Sequence, residues 1–201
     1  GIEDLIAARE DGAATPVVLY LNGAVGDVGN PERSVAAVER DGRTFASQAE
    51  VAGVLDDLRP VGEGIRLARE EVWLGLPGFS FRNCLGKRKP REPGSIDPRL
   101  PMPLMQQRTH VSAVSIGDVN MLTWPGEPSV QVGYDTQALA ASRGFEDPWV
   151  LGLTNDYLSY FTTEPEYYQG HYDSCNSLYR WRGTERIQSA ITDMLSKEKN
   201  E

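Results

Sequence analysis

Apolar and polar positions alternate over Gly64 to Leu76, where Ile65, Leu67, Val72, Leu74 and Leu76 predict a long strand. His110 to Ile116 and Val119 to Trp124 repeat the pattern around Gly117-Asp118 and predict a hairpin. Pro16 to Leu21 is a β-rich apolar run, read as a buried strand that delivers a Gly-spaced loop, Asn22 to Gly29, to a sheet edge. Pro148 to Leu153 reads as a further short strand. Helical spacing appears in three places. Thr44 to Leu58 carries Phe45, Ala49, Ala52 and Leu55 to Leu58 on one stripe and is closed by Pro60. Ser129 to Ala141 is the second, and Thr184 to Lys197, with Thr184 as the expected N-cap, is the third. Pro77 to Met105 is rich in Gly, Pro and Arg and predicts a long irregular connection. Strands interleaved with helices predict one domain of the α/β (α+β) class, a layered mixed β-sheet with flanking helices.

The chain has 201 residues, 40% of them apolar, which suits a folded domain with a sizeable core. Its net charge is −9, from 29 acids against 20 bases, so no basic field exists to recruit nucleic acid or an anionic membrane surface. The basic stretch Arg82, Lys87, Arg88, Lys89 and Arg91 reads as a solvated loop. No apolar run of about 18 residues exists to span a membrane, and Gly1 to Asp4 lacks the basic start of a signal peptide. Two cysteines, Cys84 and Cys175, argue against a thiolate metal site and leave one bridge possible. The glycines at 23, 26 and 29 match no phosphate-binding spacing.

Candidate chemistry concentrates between Asn155 and Tyr172. This run holds Tyr157, Tyr160, Tyr167, Tyr168 and Tyr172 together with His171 and the acids Asp156, Glu164 and Glu166. Such a density of phenols and carboxylates points to converging oxygen ligands and proton donors, or to an aromatic binding surface. Glu127 stands out separately, after Gly126 at a strand-to-helix junction. From local sequence it reads first as an acid in a first helical turn, with a carboxylate pointing out of the sheet as the other reading.

Three ordered blocks resemble the neutral (non-lysosomal) ceramidase family: Leu21-Asn22-Gly23-Ala24-Val25-Gly26-Asp27-Val28, Trp124-Pro125-Gly126-Glu127-Pro128-Ser129-Val130, and the Asn155 to Tyr172 segment. The resemblance implies a zinc-dependent amidohydrolase that cleaves an N-acyl bond by metal-activated water. It implies Glu127 and Tyr160 as zinc ligands and Tyr172 as the donor to the scissile carbonyl oxygen. Asp27, Asn30 and His171 are the expected substrate contacts. Where ceramide-cleaving members carry a serine before the proline, this chain reads Gly29-Asn30-Pro31, so the implied substrate is an amide other than ceramide, small or lipid-like. The family's zinc histidines lie upstream of the Gly-Asp block, and here His110 and His171 are the two histidines, neither at a ligand position. Residues 1–201 are therefore expected to be the C-terminal half of a catalytic domain, without a separate C-terminal sandwich domain, completed by an upstream segment or a partner chain that bears the histidines. Two other readings compete: a non-catalytic or regulatory half that only assembles with its partner, and a metal-independent binding protein that stacks ligands on Tyr157, Tyr167, Tyr168, Tyr179 and Trp181.

Overall fold

The predicted hairpin forms. In the computed structural model, β4 (Arg108–Ile116) turns at Gly117-Asp118 into β5 (Val119–Thr123), with Ile116 opposite Val119. β1 (Ile65–Trp73) pairs antiparallel with β4, and β7 (Trp149–Leu151) pairs parallel with β5, giving the mixed sheet order β1-β4-β5-β7. A parallel neighbour needs a crossover, supplied here by α3 (Val130–Ala141). The structure describes residues 6, 18–29, 34–51, 53, 60–85 and 90–198. They divide into two units, residues 22–28 with 61–201 and residues 1–21 with 29–60.

In the smaller unit, helix α1 (Val35–Val51) begins nine residues before the expected Thr44. The signal missed is Ser34, whose Oγ accepts from the Ala37 amide at 3.1 Å as an N-cap does. The expected continuation through Leu55 to Leu58 lies outside the described residues, as do Pro16, Val17, Asn30, Pro31 and Lys87 to Lys89. Residues 18–21 form no strand, and Leu19 and Tyr20 are about four-fifths exposed, at 79% and 80%. β-propensity reports fit to a half-buried pleated surface, and this run has none.

The larger unit holds the remaining elements. The row Ala68, Ala113, Leu122 and Val150 runs across all four strands on the inner face, and Leu122 is fully buried. It packs against α6 (Arg180–Glu198), whose Ile187, Ile191, Met194 and Leu195 form one apolar stripe, and against Val132 and Ala140 of α3. Thr184 is not the cap of this helix. It lies inside it, buried, and donates to the Thr162 carbonyl at 2.8 Å. The neighbouring row Leu67, Val114, Met121 and Trp149 faces the other way and is equally apolar, yet Leu67 and Trp149 are 67% and 55% exposed. Apolar residues on both faces are the pattern of a sheet covered on both sides.

The irregular connection contains short elements: β2 (Gly78–Ser80), α2 (Phe81–Cys84) and β3 (Arg99–Pro101), with β2 and β3 paired. Buried polar groups fasten it to the aromatic run. The Asp97 carboxylate, with no exposed side-chain surface, accepts from Ser80 Oγ at 2.6 Å and from the Tyr167 hydroxyl, with Arg99 and Arg180 at 3.9 Å. Asn83 donates to the carbonyls of Tyr167 and Ser174, and a disulfide joins Cys84 of α2 to Cys175 of α5 (Tyr172–Asn176). A bridge of this kind adds about 2–4 kcal/mol, mainly by restricting the unfolded chain. Tyr167, Tyr168 and Trp181 pack ring to ring beside it, with the Arg180 guanidinium 4.3 Å from the Trp181 ring.

Backbone contacts pin the remaining short strands. β6 (Glu127–Pro128) pairs parallel with β8 (Tyr160–Phe161), and the Glu127 amide donates to Ser159 at 2.9 Å. Gly126 is required there, because a Cβ would lie 2.3 Å from the Ser159 carbonyl and 2.9 Å from the Phe161 ring. Gly26 is held in the same way: its amide donates to Pro128 at 2.8 Å, and a Cβ would lie 2.6 Å from the Glu127 carbonyl.

Two outcomes follow from this packing. Gly126→Ala is expected to destabilise by about 1–3 kcal/mol through overpacking, while Gly29→Ala, with nothing within 4 Å of the added methyl, stays within about 0.5 kcal/mol of wild type in urea titrations. Alkali gives the second. Burial and the bond to Asp97 push the Tyr167 phenol up to about 12, and burial beside Asp156 does the same to Tyr179. The unfolded phenols ionise near ~10, so the fold favours the protonated form, and that stability is intact below pH ~10 and lost as pH rises towards 12. The urea midpoint should fall between pH 9 and pH 11, and Tyr167→Phe should be less stable at pH 9 but fall by less.

Candidate acid and phenol site

The Pro-Gly-Glu turn is built by a short backbone ladder. Trp124 donates to Leu151 at 2.7 Å, Leu153 to Gly126 at 2.8 Å, Leu158 to Pro125 at 2.8 Å and Ser129 to Phe161 at 2.9 Å. The turn is thereby clamped between the segment after β7 and the strand that carries Tyr160. Glu127 consequently lies on β6 and not in a first helical turn, since α3 starts at Val130 with Ser129 as its N-cap.

Register does the rest. Glu127 and Tyr160 are directly paired across β6 and β8, which puts a carboxylate and a phenol side by side although 33 positions separate them (160 less 127). Burial, then the neighbouring Glu127 carboxylate, with Tyr172 adding, holds the Tyr160 phenol well above its ordinary range. The Tyr172 ring meets the Tyr160 ring edge-on, with centroids 5.5 Å apart, and is 60% exposed. Tyr157 donates its hydroxyl to Glu127 Oε1 at 2.7 Å, and that bond, ahead of burial, raises its phenol to about 12. Two phenols thus adjoin one half-buried carboxylate, and the third, Tyr172, packs against Tyr160.

The loop carrying two of these phenols is held in unusual backbone. Leu153, Asn155 and Ser159 adopt positive φ, at 56°, 68° and 69°. Such conformations cost of order 1–3 kcal/mol each for non-glycine residues and persist where the surroundings impose them. Here the ladder imposes them on both sides of Tyr157.

The three sequence blocks meet at α3. Asp27 Oδ1 accepts from the Val130 amide at 2.7 Å, satisfying one of the donors left open at a helix start. Ser129 Oγ donates to Glu166 Oε2 at 2.8 Å, and the same oxygen takes the Thr163 amide at 2.7 Å in the capping box of α4 (Glu164–Gln169). Glu166 thereby ties the Pro-Gly-Glu block to the aromatic run. The Thr-x-x-Glu signature at 163–166 was the available signal for it. His171 is exposed at the start of α5, next to Tyr172, and Asn30 lies outside the described residues.

The stacking surface does not exist as expected. Tyr167, Tyr168, Tyr179 and Trp181 are buried, and of the five rings only Tyr157 is open to solvent. As metal donors, Glu127 and Tyr160 are hard oxygen groups placed side by side, which fits part of a divalent cation's sphere. Among the described residues no group of three or more His, Cys, Asp or Glu side chains is placed to hold a metal, so the set is partial.

No protein-family model matches the chain. It is 30% identical over 151 residues to the neutral ceramidase of Mycobacterium tuberculosis, a match that covers 71% of this chain and 23% of that protein. Two solved structures share its fold. A ceramidase complexed with C2 superposes with a TM-score of 0.60 at 19% identity, over 81% of this chain and 34% of that one. The neutral ceramidase from Pseudomonas aeruginosa gives 0.59 at 18% identity, over 89% of this chain and 35% of its own. The chain thus spans about a quarter of the curated relative and about a third of the solved structures. The sequence match and the common fold together show that the chain belongs to the neutral ceramidase family.

Proposed function

We propose that this chain contributes part of the active site of a zinc-dependent amidohydrolase acting on an N-acyl bond. The observation that carries the reading is the convergence of Glu127, Tyr160 and Tyr172 from separate segments on one spot. Core packing does not ask for a half-buried carboxylate among phenols, and an amidase of this family does. Glu127 and Tyr160 are the ligands this chain would offer to zinc. When bound, zinc supplies Lewis acidity that polarises a carbonyl and activates water near neutral pH.

Tyr172 has the exposure a substrate contact needs. Its phenol is assigned as the donor to the amide oxygen, where negative charge develops during attack. Asp27, Asn30 and His171 are assigned to the substrate rim, and the substrate is a small or lipid-like amide. The remaining ligands are assigned to histidines on a polypeptide that completes the domain. The apolar sheet row of Leu67, Val114, Met121 and Trp149 supports this assignment, since it offers such a polypeptide a surface to cover.

The test uses the native assembly. Glu127→Ala is expected to lose its zinc and its hydrolysis of N-acyl amides. Tyr172→Phe should keep the metal and lose about 100- to 1,000-fold in kcat, the size of one oxyanion donor. Elemental analysis beside amide-release assays decides it, and a fully metallated Glu127→Ala protein would refute the metal assignment.

A further inference from the structure

We propose that Tyr157 is a positioning residue for Glu127: its hydroxyl holds Oε1 and so fixes the orientation of the carboxylate that this chain would offer to zinc. The inference rests on the zinc-site reading above and deepens it. Tyr157 is 64% exposed, so its ring does little for the core, yet its phenol reaches 2.7 Å from Glu127 Oε1. The reach is set by backbone. Leu158, the next residue, is buried and its amide is bonded to Pro125, directly before the Gly126-Glu127 turn. Asn155 and Ser159 bracket the pair at positive φ, and Asn155 Nδ2 is tethered to Thr123 Oγ1 at 3.1 Å. The donor therefore cannot drift without breaking contacts made by its neighbours.

A carboxylate on a short strand otherwise rotates freely about its last bond and can present one oxygen or both. A fixed donor on Oε1 restricts that rotation and would hold the carboxylate in one orientation for a cation. Partners of this kind orient metal ligands, and their loss costs about 10- to 100-fold in metal affinity.

Tyr157→Phe removes one exposed hydroxyl and leaves the ring. In the native metal-loaded assembly, zinc affinity by chelator competition is expected to fall about 10- to 100-fold, with an unchanged far-UV circular dichroism spectrum. The visible spectrum of the cobalt-substituted protein should shift with it, a readout that a merely structural tyrosine would not move. Zinc affinity and cobalt spectrum equal to wild type, in a preparation where Glu127→Ala loses its metal, overturn the role of Tyr157 and leave the zinc site standing. A Glu127→Ala protein that keeps its metal overturns both.

Discussion

The pairing of β6 with β8 is only two residues long, and the candidate site depends on it. Two-residue ladders are weak, so this one must be enforced from outside. Gly126 lets the Ser159 carbonyl approach where any Cβ would collide, and Gly26 lets a separate loop close over the Glu127 and Pro128 backbone. Each contact is backbone to backbone, so side-chain substitution elsewhere in the site leaves it untouched. The carboxylate and the phenols are therefore placed by main-chain geometry, which holds atoms more closely than loop side chains can.

Around that ladder the fold uses polar links where apolar ones would be ordinary. Asp97 is a buried charge, and such a group is costly unless it is bonded and paired. Ser80, Tyr167, Arg99 and Arg180 meet that need, and burial holds the Arg99 guanidinium below its ordinary value despite the nearby carboxylate. The benefit is registry: Asp97 has one arrangement of partners, and it fixes the irregular connection against α4 and α6. The Cys84–Cys175 disulfide fixes the neighbouring α2 and α5. Since α5 begins with Tyr172, this network also anchors the phenol opposite Tyr160.

Much of the larger unit was legible from period and caps. The hairpin at Gly117-Asp118 follows from an alternation with its turn, and the helix after Ser129 from its helical spacing, with Ser129 found as its N-cap. Errors arose where a local signal was overruled or read too late. Thr184 has the chemistry of a cap but lies inside α6, where its hydroxyl finds the Thr162 carbonyl. Ser34 caps a helix whose apolar stripe is clear in the sequence only from Phe45 onwards. The tyrosines were the hardest to read. Composition says that five rings lie close in sequence but not which of them face inward, and Tyr167 and Tyr168 were drawn into the core beside Trp181. The adjacency of Glu127 and Tyr160 is a fact of strand register, which no spacing within either block reveals.

Phenols suit a carboxylate that is seated in a half-buried turn. A carboxylate beside another acid would repel it, and beside an imidazole it would be a fixed ion pair. Beside phenols it is a hydrogen-bond acceptor, and it raises the pH at which they ionise, as at Tyr157 and Tyr160. The register of β6 and β8 therefore matches the acid with a partner that donates a hydrogen bond to it and brings no charge into the half-buried turn.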